Sequence, residues 1–218
     1  MLSDIKLILF DLDGTLIEFH QDFLFDHAAR TLELQGHGPV PRDHIAECFA
    51  DFDFFRFVHE IHRETFQTAF WKGFEWDEFP MPVAIAGVLE TLAALRQAGH
   101  DLGIVTSRLM CPMQLTQHLE PTGILRHTAY LRTRPGAHID WSDKRESLRE
   151  VIAEAGCEPT EVAMVGDIPH DIASAKDVGI RLTVGVLTGG LRRQVLEAAE
   201  PSLILNSVSE LALHIKPK

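Results

Sequence analysis

Hydrophobic positions along this chain follow two patterns. In the first, short unbroken apolar runs stand between polar and turn residues: Lys6–Phe10, Leu102–Thr106, Val162–Gly166, Leu182–Val186 and Leu203–Leu205, with Ala129–Thr133 a weaker sixth. Aliphatic runs of this kind predict strands covered on both faces, as in a parallel sheet. In the second pattern, apolar residues recur every three or four positions. Ala84–Ala98 sets Ile85, Val88, Leu89, Leu92 and Leu95 on one face and stops at Gly99. Lys144–Ala155 does the same with Leu148, Val151 and Ile152 and stops at Gly156. Both predict amphipathic helices closed by glycine. Asp171–Val178 and Arg192–Ala199 predict shorter ones. Strand and helix in alternation predict an α/β fold with a doubly wound parallel sheet.

One stretch breaks the alternation. Between Leu16 and Met81 the pattern predicts helices and loops but no strand. All thirteen phenylalanines lie at or before Phe79, and the stretch carries thirteen Asp/Glu against five Lys/Arg. Pro80 and Pro82 mark its end. This reads as an inserted α-helical cap, residues 16–81, in a core made of 1–15 and 82–218. Its rings, from Phe49 to Trp76, either fill a small core of their own or face a leaving group, and the first use is the more economical. Arg56, Arg63 and Lys72 are candidate anion anchors within it.

In an open parallel sheet, ligands bind beyond the carboxyl ends of the strands. The residues just after each apolar run are therefore informative. Asp11 and Asp13 follow the first run, with Gly14 and Thr15 behind them. Thr106 and Ser107 close the second. Asp167 and then Asp171 follow Val162–Gly166, and Lys144 opens the helix before that strand. Several carboxylates gathered at one half-buried edge are costly unless paired. A hard divalent cation lowers that cost, and Mg²⁺ takes carboxylate oxygens while keeping water and phosphate in its shell.

The segments "DLDGT", Thr106 at a strand end, Lys144 at a helix start and "GDIPHD", in that order, resemble the four motifs of haloacid dehalogenase-like (HAD) hydrolases. The likeness spans nearly the whole core. The C-terminal part from Val184 is similar to phosphoglycolate phosphatase-like members, and a helical cap after the first motif is similar to theirs. The resemblance implies a Mg²⁺-dependent phosphatase acting on a small-molecule phosphate monoester through an aspartyl-phosphate, with the cap closing over the core. It implies Asp11 as nucleophile and metal ligand, Asp13 as general acid and base with its main-chain carbonyl on the metal, and Asp167 as metal ligand supported by Asp171. Thr106, Ser107 and Lys144 would bind the phosphoryl group, Lys144 also neutralising charge on Asp11.

Two departures from that family pattern stand out. No proline follows the lysine in "SDKRESL", and Arg134–Pro135 offers a rival lysine–proline mimic. The distance from Lys144 to Asp167 is nearer the family spacing. In "VTSR", serine stands where asparagine often follows the threonine, and a serine hydroxyl also donates. Alternatives are a sugar-phosphate phosphomutase, which shares the motifs, and a non-catalytic binding protein on the same scaffold. Dehalogenases lack the acid that Asp13 supplies, and phosphonate hydrolases use a cap lysine where this insertion has only Lys72.

Composition narrows the rest. The chain has 218 residues and a formal charge of −12, which disfavours a nucleic-acid partner but not a local cationic pocket. Cys48, Cys111 and Cys157 are scattered without a CxxC pair, against both disulfides and structural zinc. His59 and His62, with Glu60 and Glu64, read as a solvated helix rather than a metal site, and His170 as a loop residue. No apolar run approaches a membrane span and no signal segment is visible, so a cytoplasmic protein without membrane contact is expected. Oligomeric state is not legible.

Overall fold

The computed structural model describes residues 4–73, 79–134 and 143–214. Two compact units emerge, one of residues 1–19 and 82–218, the other of residues 20–81.

The larger unit is built on a six-stranded sheet: β1 (Leu7–Phe10), β2 (Asp101–Val105), β3 (Tyr130–Arg132), β4 (Val162–Gly166), β5 (Leu182–Val186) and β6 (Leu203–Leu205). Their spatial order is β3-β2-β1-β4-β5-β6, and every pairing is parallel. This is the doubly wound α/β arrangement, and strand order reverses on either side of β1. Every residue of β1, β4 and β5 is buried, which is why these strands read as apolar runs rather than as alternation. Helices α4 (Val88–Gln97), α5 (Pro112–Leu119), α6 (Arg145–Ala155), α7 (Pro169–Asp177) and α8 (Arg193–Glu197) connect them; α1 to α3 belong to the smaller unit. One face of the sheet packs Leu7, Leu9, Val105 and Met164 against Leu148, Val151 and Ile152 of α6.

The periodicity of 84–98 begins too early. Residues 83–85 instead run beside Leu16–Glu18: the Glu18 N–H donates to Val83 O (2.9 Å) and the Ile85 N–H to Leu16 O (3.0 Å), with an antiparallel bridge from Ile17 to Ala84, and Ala86 and Gly87 form a turn. The helix starts after Gly87, whose φ is +80°. Leu16 and Ile17 are fully buried and belong to the larger unit. α5 has no counterpart among the helices read from the sequence. Its signals are Pro112 at the first turn and Gln114, whose side chain accepts from the Cys111 N–H at 3.1 Å.

The smaller unit holds α1 (Gln21–Leu34), α2 (Arg42–Ala50) and α3 (Arg63–Lys72). Its interior is aromatic. Phe66 and Phe70 are completely or almost completely buried and meet Phe55 edge-on at 5.8 and 5.5 Å between centroids, while Phe25 meets Phe49 at 5.1 Å. His27 of α1 bonds through Nε2 to Phe70 O at 2.7 Å, tying α1 to α3. Arg56 pairs with Asp51 (2.8 Å) and Arg63 donates to Val58 O (3.1 Å). Glu60–His62 is a single exposed 3₁₀ turn. Phe74, Glu75 and Trp76 lie outside the described residues, as does Pro135. All three cysteines are unbridged, and no helix among the described residues is long and apolar enough to cross a membrane.

Leu9 sits at the centre of the sheet with no solvent exposure. Leu9→Ala is expected to lower stability by about 3 kcal/mol through lost burial and residual cavity, read as a lower midpoint in urea unfolding with an unchanged slope.

Candidate active site at the carboxyl edge of the sheet

The carboxyl ends of β1, β2 and β4 bring together residues scattered over the whole chain. Asp11 is the first residue beyond β1, its N–H held by Val165 O at 2.8 Å. Asp167 is the first beyond β4. Asp171 lies in the first turn of α7, and Lys144 immediately precedes α6. All four are buried. Lys144 Nζ donates to both Asp11 Oδ1 and Asp171 Oδ1, the second at 2.6 Å. Asp171 Oδ2 also accepts the Ile168 N–H at 3.2 Å, closing the start of α7 on itself. Arg134, the rival cation of the sequence, instead donates to Asp143 O. Lys144 is thus the cation that this edge brings to Asp11.

The loop after Asp11 is a tight wrap. The Leu16 and Ile17 N–H groups donate back to Leu12 O at 2.8 and 3.0 Å. Gly14 takes φ +76°, and a Cβ there would stand 2.6 Å from Asp167 Oδ2 and 2.7 Å from Gly189 Cα. Only glycine allows this combination of backbone and closeness. Thr15 Oγ1 donates to Asp167 Oδ1 at 3.1 Å, and Thr188 Oγ1 donates to Gly14 O, so the 3₁₀ turn that follows β5 also braces the wrap.

Asp11, Asp167 and Asp171 each offer an oxygen within 4.8 Å of the others, against one lysine. Burial pushes Asp11 up to about 6; Lys144 opposes this, and Asp171 and Asp13 add to it. Burial, then the Asp11 charge, raises Asp167 well above the carboxylate range. Burial acts to lower the Lys144 ammonium, but Asp11 and Asp171 outweigh it and hold the group above its ordinary value. Such an excess of desolvated acid fits a hard divalent cation among these oxygens. Lys144 and the Ile168 N–H already hold both oxygens of Asp171, whereas Asp11 and Asp167 each give one oxygen to a side-chain donor. Asp171 therefore has the geometry of a brace, with Asp11 and Asp167 the better donors.

At the mouth of β2, Thr106 is buried and its Oγ1 accepts the Arg108 N–H at 3.2 Å. Its hydroxyl hydrogen remains available to an acceptor. Ser107 Oγ is buried with no hydrogen-bond partner among the described residues, a condition that calls for an explanation such as a ligand oxygen. Asp13 is not part of the acidic cluster of side chains. Both its oxygens go to Arg108, Nη2 to Oδ1 at 2.6 Å and Nε to Oδ2 at 2.8 Å. Sequence reasoning did not single out Arg108, although it is the fourth residue of "VTSR" and follows the strand mouth that was searched.

A family model, described as haloacid dehalogenase-like hydrolase, matches residues 8–185. The chain belongs to this family. Over 214 residues, 97% of this chain and 96% of the relative, it is 31% identical to a protein of Bacillus velezensis named pyrophosphatase PpaX. It is 28% identical over 228 residues, 96% of this chain and 95% of the relative, to a Vibrio vulnificus protein named phosphoglycolate phosphatase. In fold it is similar to a haloacid dehalogenase-like hydrolase from Streptococcus pneumoniae, with a TM-score of 0.75 at 15% identity, covering 98% of this chain and all of that one.

The raised Asp11 carries a consequence for stability. Its folded value of about 6 exceeds the ordinary 3.8, so folding favours the protonated form. That contribution is complete below about pH 4 and is lost as pH rises through about 6. In chelator-treated buffer, Asp11→Asn is expected to be more stable than the parent at pH 7.5, by about 2–3 kcal/mol, and the gain to vanish near pH 4. Denaturant unfolding of both proteins at the two pH values measures it.

Proposed function

We propose that this enzyme is a Mg²⁺-dependent phosphatase that hydrolyses a small-molecule phosphate monoester through a phosphorylated Asp11. The observation that carries the reading is the buried set of Asp11, Asp167, Asp171 and Lys144 at the point where strand order reverses. Relatives named as phosphatases at full length support it. Asp11 and Asp167, with the main-chain carbonyl of Asp13, would hold the ion, which when bound would offset negative charge on the phosphoryl oxygens.

The remaining chemistry falls to the chain. Lys144 keeps Asp11 oriented and supplies positive charge beside it. Asp11 attacks phosphorus, an O–P bond forming to its carboxylate as the bond to the leaving oxygen breaks. Asp13 gives that oxygen a proton, then takes one from the water that attacks the aspartyl-phosphate, returning free Asp11 and inorganic phosphate. Thr106 and Ser107 hydroxyls steady the transferring group, which moves mainly by positioning and charge stabilisation. Asp171 acts through Lys144 rather than on substrate.

Asp11→Asn is expected to lower kcat for an aryl phosphate by at least about 1,000-fold while the protein stays folded. Chelation is expected to abolish parent activity and Mg²⁺ to restore it, with Asp167→Asn raising the concentration needed. Phosphate release measures all three. Full activity in Asp11→Asn would exclude the covalent route, and full activity in chelator would exclude the metal.

A further inference from the structure

The turn Leu187–Gly189 follows β5 and carries no charged side chain, yet it reaches the acidic edge of the sheet. Gly189 is buried there. A Cβ built on it would stand 2.7 Å from Asp167 Cβ, and closer still to the carboxylate carbon and Oδ2. No side chain tolerates such separations. Turning the carboxylate alone would not clear them, because Asp167 Cβ is fixed to the main chain. Either the turn or the first residue beyond β4 would have to move. The turn has little freedom to do so. It continues β5, a fully buried strand paired on both sides, and Thr188 Oγ1 donates to Gly14 O.

Gly14 forms a second wall. A Cβ there would stand 2.6 Å from the same Asp167 Oδ2 and 2.7 Å from Gly189 Cα. Asp167 thus occupies a slot between two glycine backbones, with Oδ1 held by Thr15 at 3.1 Å. A carboxylate walled and bonded in this way has little room to reorient. That restriction matters most to an ion that is strict about geometry. Mg²⁺ demands near-ideal octahedral oxygens at about 2.0–2.1 Å, whereas Ca²⁺ accepts a looser shell at about 2.3–2.6 Å. A site with one ligand fixed suits the stricter ion, and a site with that ligand displaced loses this advantage.

We infer that Gly189 is a positioning residue that tunes the acidic site toward a small octahedral cation: by lacking a side chain, it holds Asp167 where such an ion needs it. This deepens the proposed function and rests on its assignment of Asp11 and Asp167 to the metal. A methyl group at 189 displaces Asp167 in whichever direction space allows, and any displacement costs Mg²⁺ more than Ca²⁺. Residues that orient a metal ligand from outside typically change affinity by about 10–100-fold. The turn after β5 is therefore a working part of the site, although it offers the ion no side-chain oxygen of its own beyond the hydroxyl already given to Gly14.

The test reads the rise in melting temperature of the full chain against Mg²⁺ and, separately, Ca²⁺ concentration, which gives an apparent dissociation constant for each ion without turnover. In Gly189→Ala the ratio of the Ca²⁺ constant to the Mg²⁺ constant is expected to fall by about tenfold, mostly through weaker Mg²⁺. Thr188→Val frees the turn without adding bulk and is expected to lower the ratio by about threefold; it decides the matter if Gly189→Ala does not fold. Gly156→Ala strains a left-handed glycine (φ +63°) at the end of α6, where the added methyl meets nothing within 4 Å. It is expected to lower the melting temperature and leave the ratio as in the parent, which separates a loss of stability from a displaced ligand. A ratio unchanged within about twofold in the deciding variant, or moved as far by Gly156→Ala, overturns the inference. An aryl phosphate assay keeps the two readings apart. Mg²⁺-dependent release with an unchanged ratio sinks only the role of Gly189. A parent stabilised by neither ion and releasing no phosphate sinks the metal-dependent phosphatase as well.

Discussion

The buried ammonium of Lys144 between Asp11 and Asp171 is the contact on which the site depends. It joins the strand that opens the fold to the start of α7, across 133 and 27 residues of sequence respectively. An ion pair in this position adds little net stability, since desolvation consumes most of the attraction. Its use is orientation. With one cation shared between two acids and a third acid beside them, the charges do not balance, and the surplus is what raises Asp11 and Asp167. The sheet tolerates that surplus because β1, β4 and β5 are buried throughout, so the strain at one edge is carried by a well-packed interior.

Much of this architecture was legible in the sequence for a physical reason. A strand covered on both faces must be apolar at every position, and in a doubly wound sheet the first polar residue after it must lie at the ligand-binding edge. That rule alone leads to Asp11, Thr106 and Asp167. It fails where no run announces the geometry. Arg108 follows the strand mouth, but a lone arginine in a loop is usually solvated, and nothing local signals that Asp13, 95 residues earlier, will take both arms of its guanidinium. The expectation that Asp171 supports Asp167 came from the family resemblance alone, because the different surroundings of the two acids rest on which oxygens Lys144, Thr15 and the Ile168 N–H occupy. The periodicity of 84–98 overran its helix for another reason. Ala84 and Ile85 are apolar because they pair with residues 16–18, and a helical pattern cannot distinguish that use from its own.

The phenylalanine-rich unit follows a different logic. A unit as small as residues 20–81 has much surface for its volume, and rings remove more apolar area per residue than aliphatic chains. Phe25, Phe49, Phe66, Phe70 and Phe79 are all buried, mostly in edge-to-face contacts that suit the charge distribution of the rings. Aromatic enrichment that stops at Phe79 is thus the signature of a second interior, formed under tighter geometric limits than the first.

The short ladder between residues 16–18 and 83–85 brings the two ends of that unit side by side on the α/β scaffold. A segment whose termini are already neighbours adds only a logarithmic closure penalty as it lengthens or shortens. The acidic edge of the sheet is therefore insulated from what is spliced between Phe19 and Pro82, and a differently shaped graft between these two residues would leave β1, its acids and their lysine in register.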